Sequence, residues 1–285
     1  MSRLEKAVEE ALKRKGGVSV ASTEDEEGTP LNSPPVETPG EGDAALLSGQ
    51  TEPSLPPLRE RINELVVRYR EDNPKAAEEY GKIKSRLMRI AERDSAIKRL
   101  LITSALKGEG KSLTTLNLAI SLARSYEQNV LMLDTDLRNP SLHKYLGLDE
   151  GPGLIQCFRD NLNVRDAIVE TGISRLKFLP AGGTVSDPVE LLSSSKPKEI
   201  FSQIQMADPG LFMLFDAPPI LPFADVHSLL PEVGGVILVV REGFPSRKHL
   251  TQALDALDEA HYRGVIFNGA STSYINKEDS YGYSY

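Results

Sequence analysis

The stretch Arg99–Ala119, RLLITSALKGEGKSLTTLNLA, decides the fold. A short aliphatic run, read as a strand, passes through a glycine-containing loop into a helix-forming segment. Gly108 and Gly110 let the backbone turn tightly and present its N–H groups to phosphate. Lys111 is then placed to reach the β- and γ-phosphates, and the Ser112 hydroxyl to ligate Mg²⁺. The start of the helix adds its positive dipole end to the same pocket. Ala105 stands where the pattern G-x4-G-K-[ST] has its first glycine, and a bare GxGKS also occurs as an ordinary strand-to-helix turn. The flanking strand and helix are what a phosphate loop requires, so Gly108, Glu109, Gly110, Lys111, Ser112 and Leu113 are the candidate ATP-binding residues.

Two further apolar runs end in acid. LMLDTDLRNP places Asp134 and Asp136 at a strand's carboxyl end, where open α/β sheets bind ligands. Carboxylates beside a triphosphate repel it unless a cation lies between, and one left uncoordinated can act as a base toward an incoming hydroxyl. LFMLFDAPP places Asp216 after five apolar residues, as a Walker B aspartate that holds Mg²⁺ directly or through water. Ser112, Asp134 and Asp216 are thus the candidate metal ligands, and Lys111, Asp134 and Asp136 the candidate catalytic residues. Acidic turn residues that merely cap the next helix would look the same singly, but the three motifs occur in order on strand-like segments. Asn268, after the last strand, resembles the adenine-reading asparagine that P-loop ATPases place there, and that resemblance makes it a candidate ATP-binding residue, although strand-end asparagines often form turns. Arg138 is left between a phosphate contact and a subunit contact.

Strands are expected at 99–104, 129–134, 176–180, 211–216, 235–240 and 264–268, with helices at 111–126, 196–206 and 246–260 between them. That alternation predicts an α/β fold with a mostly parallel sheet covered by helices on both faces; together with the phosphate loop it resembles the P-loop NTPase-like fold of the MinD/ParA type. Asn73-Pro74 reads as an N-cap and first helical residue, followed by an apolar stripe of Tyr80, Ile83, Leu87 and Ile90. Four segments are expected: an amphipathic helix at 1–17, an acidic Pro/Gly/Ser/Thr linker at 18–57 whose composition predicts disorder, the P-loop domain at 58–270, and a flexible tail at 271–285. The first helix reads either as a docking or membrane-surface element or as a frayed helix without a role.

Of 41 acidic residues, eight lie in residues 16–57, which hold no Lys or Arg; the other 33 balance the 33 basic residues. A folded part without net charge speaks against nucleic-acid binding. Cys157 is the only cysteine, which excludes an intrachain disulfide, and the four histidines show no ligand spacing. Without a spanning segment or a signal-peptide core, a cytoplasmic protein is expected, with contact to the inner membrane through a partner.

ALKGEGKS, LMLDTDLRNP and LFMLFDAPP resemble the Walker A, A′ and B motifs of bacterial tyrosine autokinases of exopolysaccharide systems. NPSLHKYLGL (139–148), FLPAGGTVSDPVELLSS (178–194) and the tyrosine-rich end also resemble that family, over roughly residues 74–285. The N-terminal helix and linker resemble the soluble autokinases of exosortase-linked loci. The resemblance implies an ATP- and Mg²⁺-dependent tyrosine kinase that phosphorylates its own C-terminal tyrosines, a ring-like oligomer whose tails enter neighbouring sites, a membrane adaptor, a tyrosine phosphatase, and control of polysaccharide polymerisation or export. Two positions depart from the family pattern. Lys107 replaces a usual proline, and the oligomerisation motif Glu-x2-Arg-x2-Arg survives only as Glu78, Gly81 and Lys84.

The chain ends DSYGYSY, which makes Tyr281, Tyr283 and Tyr285 the candidate phosphorylation sites. A tyrosine hydroxyl, with a pKa near 10, needs a base and an electrophile held in line. The segment from Asn268 to Tyr281 extends to about 45 Å, enough for the chain's own site or a neighbour's. Two other readings compete: a MinD/ParA-type ATPase switch and a nucleotide-binding scaffold without turnover. The switch family's signature lysine falls at Leu106 here, which favours the kinase.

Overall fold

The computed structural model describes residues 74–124, 128–257 and 261–270. The expectations for residues 1–17 and 18–57, Asn73 as a helix cap, and the tyrosine-rich tail lie outside the described residues. Pro74 opens helix α1 (Pro74–Arg93), whose apolar stripe faces the protein; Leu87 is buried and Tyr80, Ile83 and Ile90 pack beside it. Asp94 accepts the N–H of Ala96 at 3.0 Å and turns the chain through a short 3₁₀ segment into strand β1 (Arg99–Ser104). Helix α2 (Lys111–Ala123) follows, then β2 (Val130–Asp134), α3 (Leu142–Leu146), α4 (Leu154–Arg159) and α5 (Val164–Ala167). Next come β3 (Val169–Ile173), β4 (Leu176–Leu179), α6 (Val189–Leu192), α7 (Ser195–Ala207) and β5 (Phe212–Asp216). The chain closes with α8 (Asp225–Leu229), β6 (Gly235–Arg241), α9 (Arg247–Ala256) and β7 (Tyr262–Asn268).

The strand order is β3-β4-β2-β5-β1-β6-β7, parallel throughout except that β3 runs antiparallel to β4. Side chains alternate across the sheet with the strand period of two. Leu101, Leu131 and Leu133 face a core covered by α4 to α9, whereas Leu100, Ile102, Val130 and Met132 face a second core under α1 to α3. Helix α2 lies between the sheet and α1, which explains why it is buried nearly all round rather than along one stripe. The expected α/β sheet with helices on both faces is therefore present.

Strand positions agree with expectation to within two residues. The edge strand β3 was not anticipated. Its sequence VETGI holds few apolar residues, and only Thr171 is buried, so no periodic signal marks it. The helix expected at 111–126 ends at Ala123, and that expected at 246–260 spans Arg247–Ala256.

What matters for function is that β2, β5 and β1 are neighbours, with β5 in the middle. Their register sets Asp134 opposite Asp216 and Ile102 opposite Asp216, bringing all three motif-bearing strand ends to one edge of the sheet. Beneath that edge Phe201 of α7 meets Phe215 edge-on at 5.0 Å and Phe158 at 6.1 Å. Phe201→Ala is expected to cost ~3–5 kcal/mol, read as a lower urea midpoint with an unchanged slope.

Candidate active site

The loop between β1 and α2 is held from three sides. Gly108 (φ 94°) and Gly110 (φ 89°) occupy the left-handed region that favours glycine. Glu109 turns its side chain inward, fully buried, where its carboxylate accepts the N–H groups of Leu106 (2.6 Å) and Arg241 (3.2 Å). Burial raises its pKa, against the hydrogen bonds from these main-chain donors. Asn268, at the end of β7, donates its amide to the Glu109 carbonyl at 2.9 Å. A Cβ on Gly110 would lie 2.0 Å from that amide nitrogen, so this glycine is required by a close approach as well as by its φ.

Lys111 begins α2 and extends to the Asp136 carboxylate at 2.8 Å, with the Ser112 hydroxyl 3.4 Å away. Burial lowers the Lys111 pKa, but the neighbouring carboxyls of Asp216, Asp136 and Asp134 and the hydrogen bond to Asp136 more than offset it, so the net shift is upward. Asp134 accepts the N–H groups of Ser141 and Leu142, both at 3.0 Å, through one oxygen. Asp216 accepts the Thr115 hydroxyl at 3.2 Å through one oxygen. The second oxygen of each, Oδ1 of Asp134 and Oδ2 of Asp216, is buried without a hydrogen-bond partner. Burial pushes both carboxyls above the ordinary range; facing Asp216 adds to the effect on Asp134, while Lys111 opposes it at Asp216.

Two orphaned carboxylate oxygens, with the Ser112 hydroxyl beside Lys111, are the donor set a hard divalent cation takes. Among the described residues no group of three or more His, Cys, Asp or Glu side chains forms a metal cage by itself. A Mg²⁺ here fits as an ion shared between protein oxygens, water and a nucleotide phosphate, since Mg²⁺ keeps several non-protein ligands.

Tyrosine-protein kinase YwqD of Bacillus subtilis (strain 168) is 32% identical over 225 residues, which cover 78% of this chain and 92% of the relative. The chain belongs to the bacterial tyrosine-protein kinases. In structure this kinase is similar to the chimerical protein CapA2B2, at a TM-score of 0.65 and 25% identity over 73% of this chain and 91% of that one. It is also similar to the BceF tyrosine kinase domain, at a TM-score of 0.62 and 28% identity over 71% and 81% of the two chains. No protein-family profile matches the chain.

Gly108, Gly110, Lys111, Ser112, Asp134, Asp136 and Asp216 of the kinase lie together at the carboxyl edge of β1, β2 and β5. The Glu109 side chain, expected at the nucleotide, is turned inward and buried instead. Leu113 packs partly buried against the α2-side core. Asn268 is engaged with the loop backbone, a contact the adenine reading did not foresee. Arg138 makes two bonds to the fully buried Asp225, at 2.8 and 2.9 Å, lies 4.7 Å from the Phe223 ring centroid and donates to the Ser186 carbonyl. Its guanidinium therefore ties together the loops after β2, β4 and β5. Thr115 and Ser141 are site residues that the motifs missed. Thr115 lies one helical turn beyond Lys111, on the same face, and that spacing was available in the sequence.

Gly110→Ala must displace the Asn268 amide and strain a left-handed residue. Nucleotide affinity by calorimetry is expected to fall at least about tenfold, equivalent to ~1.4 kcal/mol. Asp134 gives a pH signature. Its folded pKa lies above the unfolded value, so its stabilisation is full below about pH 4 and is lost as pH rises through the folded value. The ligand-free protein should thus lose melting temperature with rising pH relative to Asp134→Asn; parallel curves would mean that Asp134 is ionised throughout.

Proposed function

We propose that this tyrosine kinase uses ATP and Mg²⁺ to phosphorylate Tyr281, Tyr283 and Tyr285, delivered in trans from a neighbouring copy. The observation that carries the reading is the convergence of one ammonium and two orphaned carboxylate oxygens on a phosphate loop. In this reading the N–H groups of Gly108, Glu109 and Gly110 cradle phosphate, and Lys111 neutralises the β- and γ-phosphates. Ser112, Asp134 and Asp216 hold Mg²⁺, which would supply charge neutralisation on the transferring phosphoryl group. Asp134 is fixed by two main-chain donors, which suits a ligand that must not move. Asp136 is held by the ammonium that ATP would recruit. Nucleotide entry therefore frees an Asp136 oxygen to accept the tyrosine proton, which makes Asp136 the better base of the two candidates.

The ATPase-switch alternative finds little support. Leu106 occupies its signature position, and the Leu106 side chain packs partly buried against the apolar core. The family resemblance adds a homo-oligomer, a membrane adaptor, a phosphatase that resets the tail, and regulation of exopolysaccharide synthesis or export from the cytoplasmic side of the inner membrane. No helix among the described residues is long and apolar enough to cross a membrane, so attachment there would rest on the adaptor.

Purified protein incubated with Mg·ATP should carry phosphate on the C-terminal tyrosines by mass spectrometry. Lys111→Met should lower the yield at least ~10²-fold. Tails of Lys111→Met chains should be labelled when mixed with active chains ending at Lys277, which have no tyrosines of the cluster to offer. Steady ADP release without phosphotyrosine, unaffected by removing the tail, would favour the switch instead.

A further inference from the structure

Away from the phosphate loop, α1 and the outer half of α2 enclose an open groove of about 880 Å³. Its walls are fixed to one another. Tyr80 hydrogen-bonds Thr114 and Asn117, and the Ser121 hydroxyl donates to the Tyr80 carbonyl at 3.3 Å. Gly81 lies on its lining, and a Cβ there would meet nothing within 4 Å, so the missing side chain keeps the groove open. Five basic side chains line it, Lys82, Lys84, Arg86, Arg89 and Arg124, against the single acidic Glu78. Lys82 is paired with Glu79 at 2.8 Å, while Arg86 and Arg89 are exposed. Since the chain outside residues 16–57 carries no net charge, this is a local concentration of positive charge.

The complementary charge lies in the same chain. Residues 16–57 hold eight acidic residues and no basic one, four of them consecutive at Glu24, Asp25, Glu26 and Glu27. The covalent path also leads to the groove. The described chain begins at Pro74, and Ala77, within the first turn of α1, lines the groove edge. With a contour of ~3.5 Å per residue, residues 28–73 are long enough to bring the acidic run back to it. A tethered ligand needs less intrinsic affinity than a free one, because its binding is intramolecular.

We propose that this groove is the docking site for the chain's own acidic segment Glu24–Glu27, held by Lys84, Arg86 and Arg89. The contact is electrostatic and salt-sensitive. It covers the face of α1 that carries Glu78, Gly81 and Lys84, the remnant of the oligomerisation motif, so the docked segment and a neighbouring copy compete for this face.

Carbodiimide treatment of the full-length protein joins carboxylates to amines in direct contact, and Lys82 and Lys84 are the groove's amines. At low salt, mass spectrometry should find these lysines linked to the 24–27 segment. The yield should drop at least about fivefold in ~0.5 M salt, where the screening length is only a few ångströms, and in R86E/R89E, which leaves both lysines in place. Hydrogen exchange over residues 77–89 should rise in the E24Q/D25N/E26Q/E27Q chain, which keeps every groove residue. Links that survive R86E/R89E, or exchange that ignores the acidic substitutions, would overturn the proposal. So would isotopically mixed samples in which Lys84 joins carboxylates of a second copy's α1, for the face would then be an interface between copies.

Discussion

Three carboxylates and one ammonium share the carboxyl edge of β2, β5 and β1, and their mutual electrostatics is the constraint on which the site depends. Parallel pairing of β2 with β5 sets Asp134 directly opposite Asp216, a placement that repels whenever both are ionised. Lys111 is the counter-charge, supplied by the helix that begins where the neighbouring strand's loop ends. The arrangement is tolerable without ligand because burial favours the protonated carboxyls and the surrounding donors fix one oxygen of each. It is better satisfied with a divalent cation, which takes the oxygens left over. A protein that keeps such a cluster buried gives up stability for binding.

The supports of this cluster come from distant parts of the chain. Ser141 and Leu142 hold Asp134, Thr115 holds Asp216, Arg241 and Asn268 hold the loop, and Arg138 clamps Asp225 against the loop after β4. Charge is thus positioned mainly by main-chain donors and by strand register, both more rigid than pairs of long side chains.

The parts legible in the sequence were those with a local signature. The glycine-lysine loop between strand and helix, and the apolar runs ending in Asp134 and Asp216, carry their meaning within ten residues. What stayed hidden was non-local or weakly patterned. The β3 strand lacks alternation because it is an edge strand with one buried side chain. Glu109 reads as a loop residue facing nucleotide, yet its inward turn depends on an N–H from β6, more than a hundred residues away. Arg138 likewise finds Asp225 only once the sheet has assembled. Thr115 was within reach of a helical-spacing argument; the other contacts required the tertiary fold.

The amide of Asn268 makes the last residue of the last strand a structural member of the phosphate loop. The chain that leaves this residue is the one that carries the three terminal tyrosines. The loop backbone and the end of β7 thus share a hydrogen bond, and β6 joins them again, since Arg241 donates its N–H to the Glu109 carboxylate and pairs with Asn268 in the sheet. The sheet edge farthest from β2 is in this way part of the frame that shapes the loop.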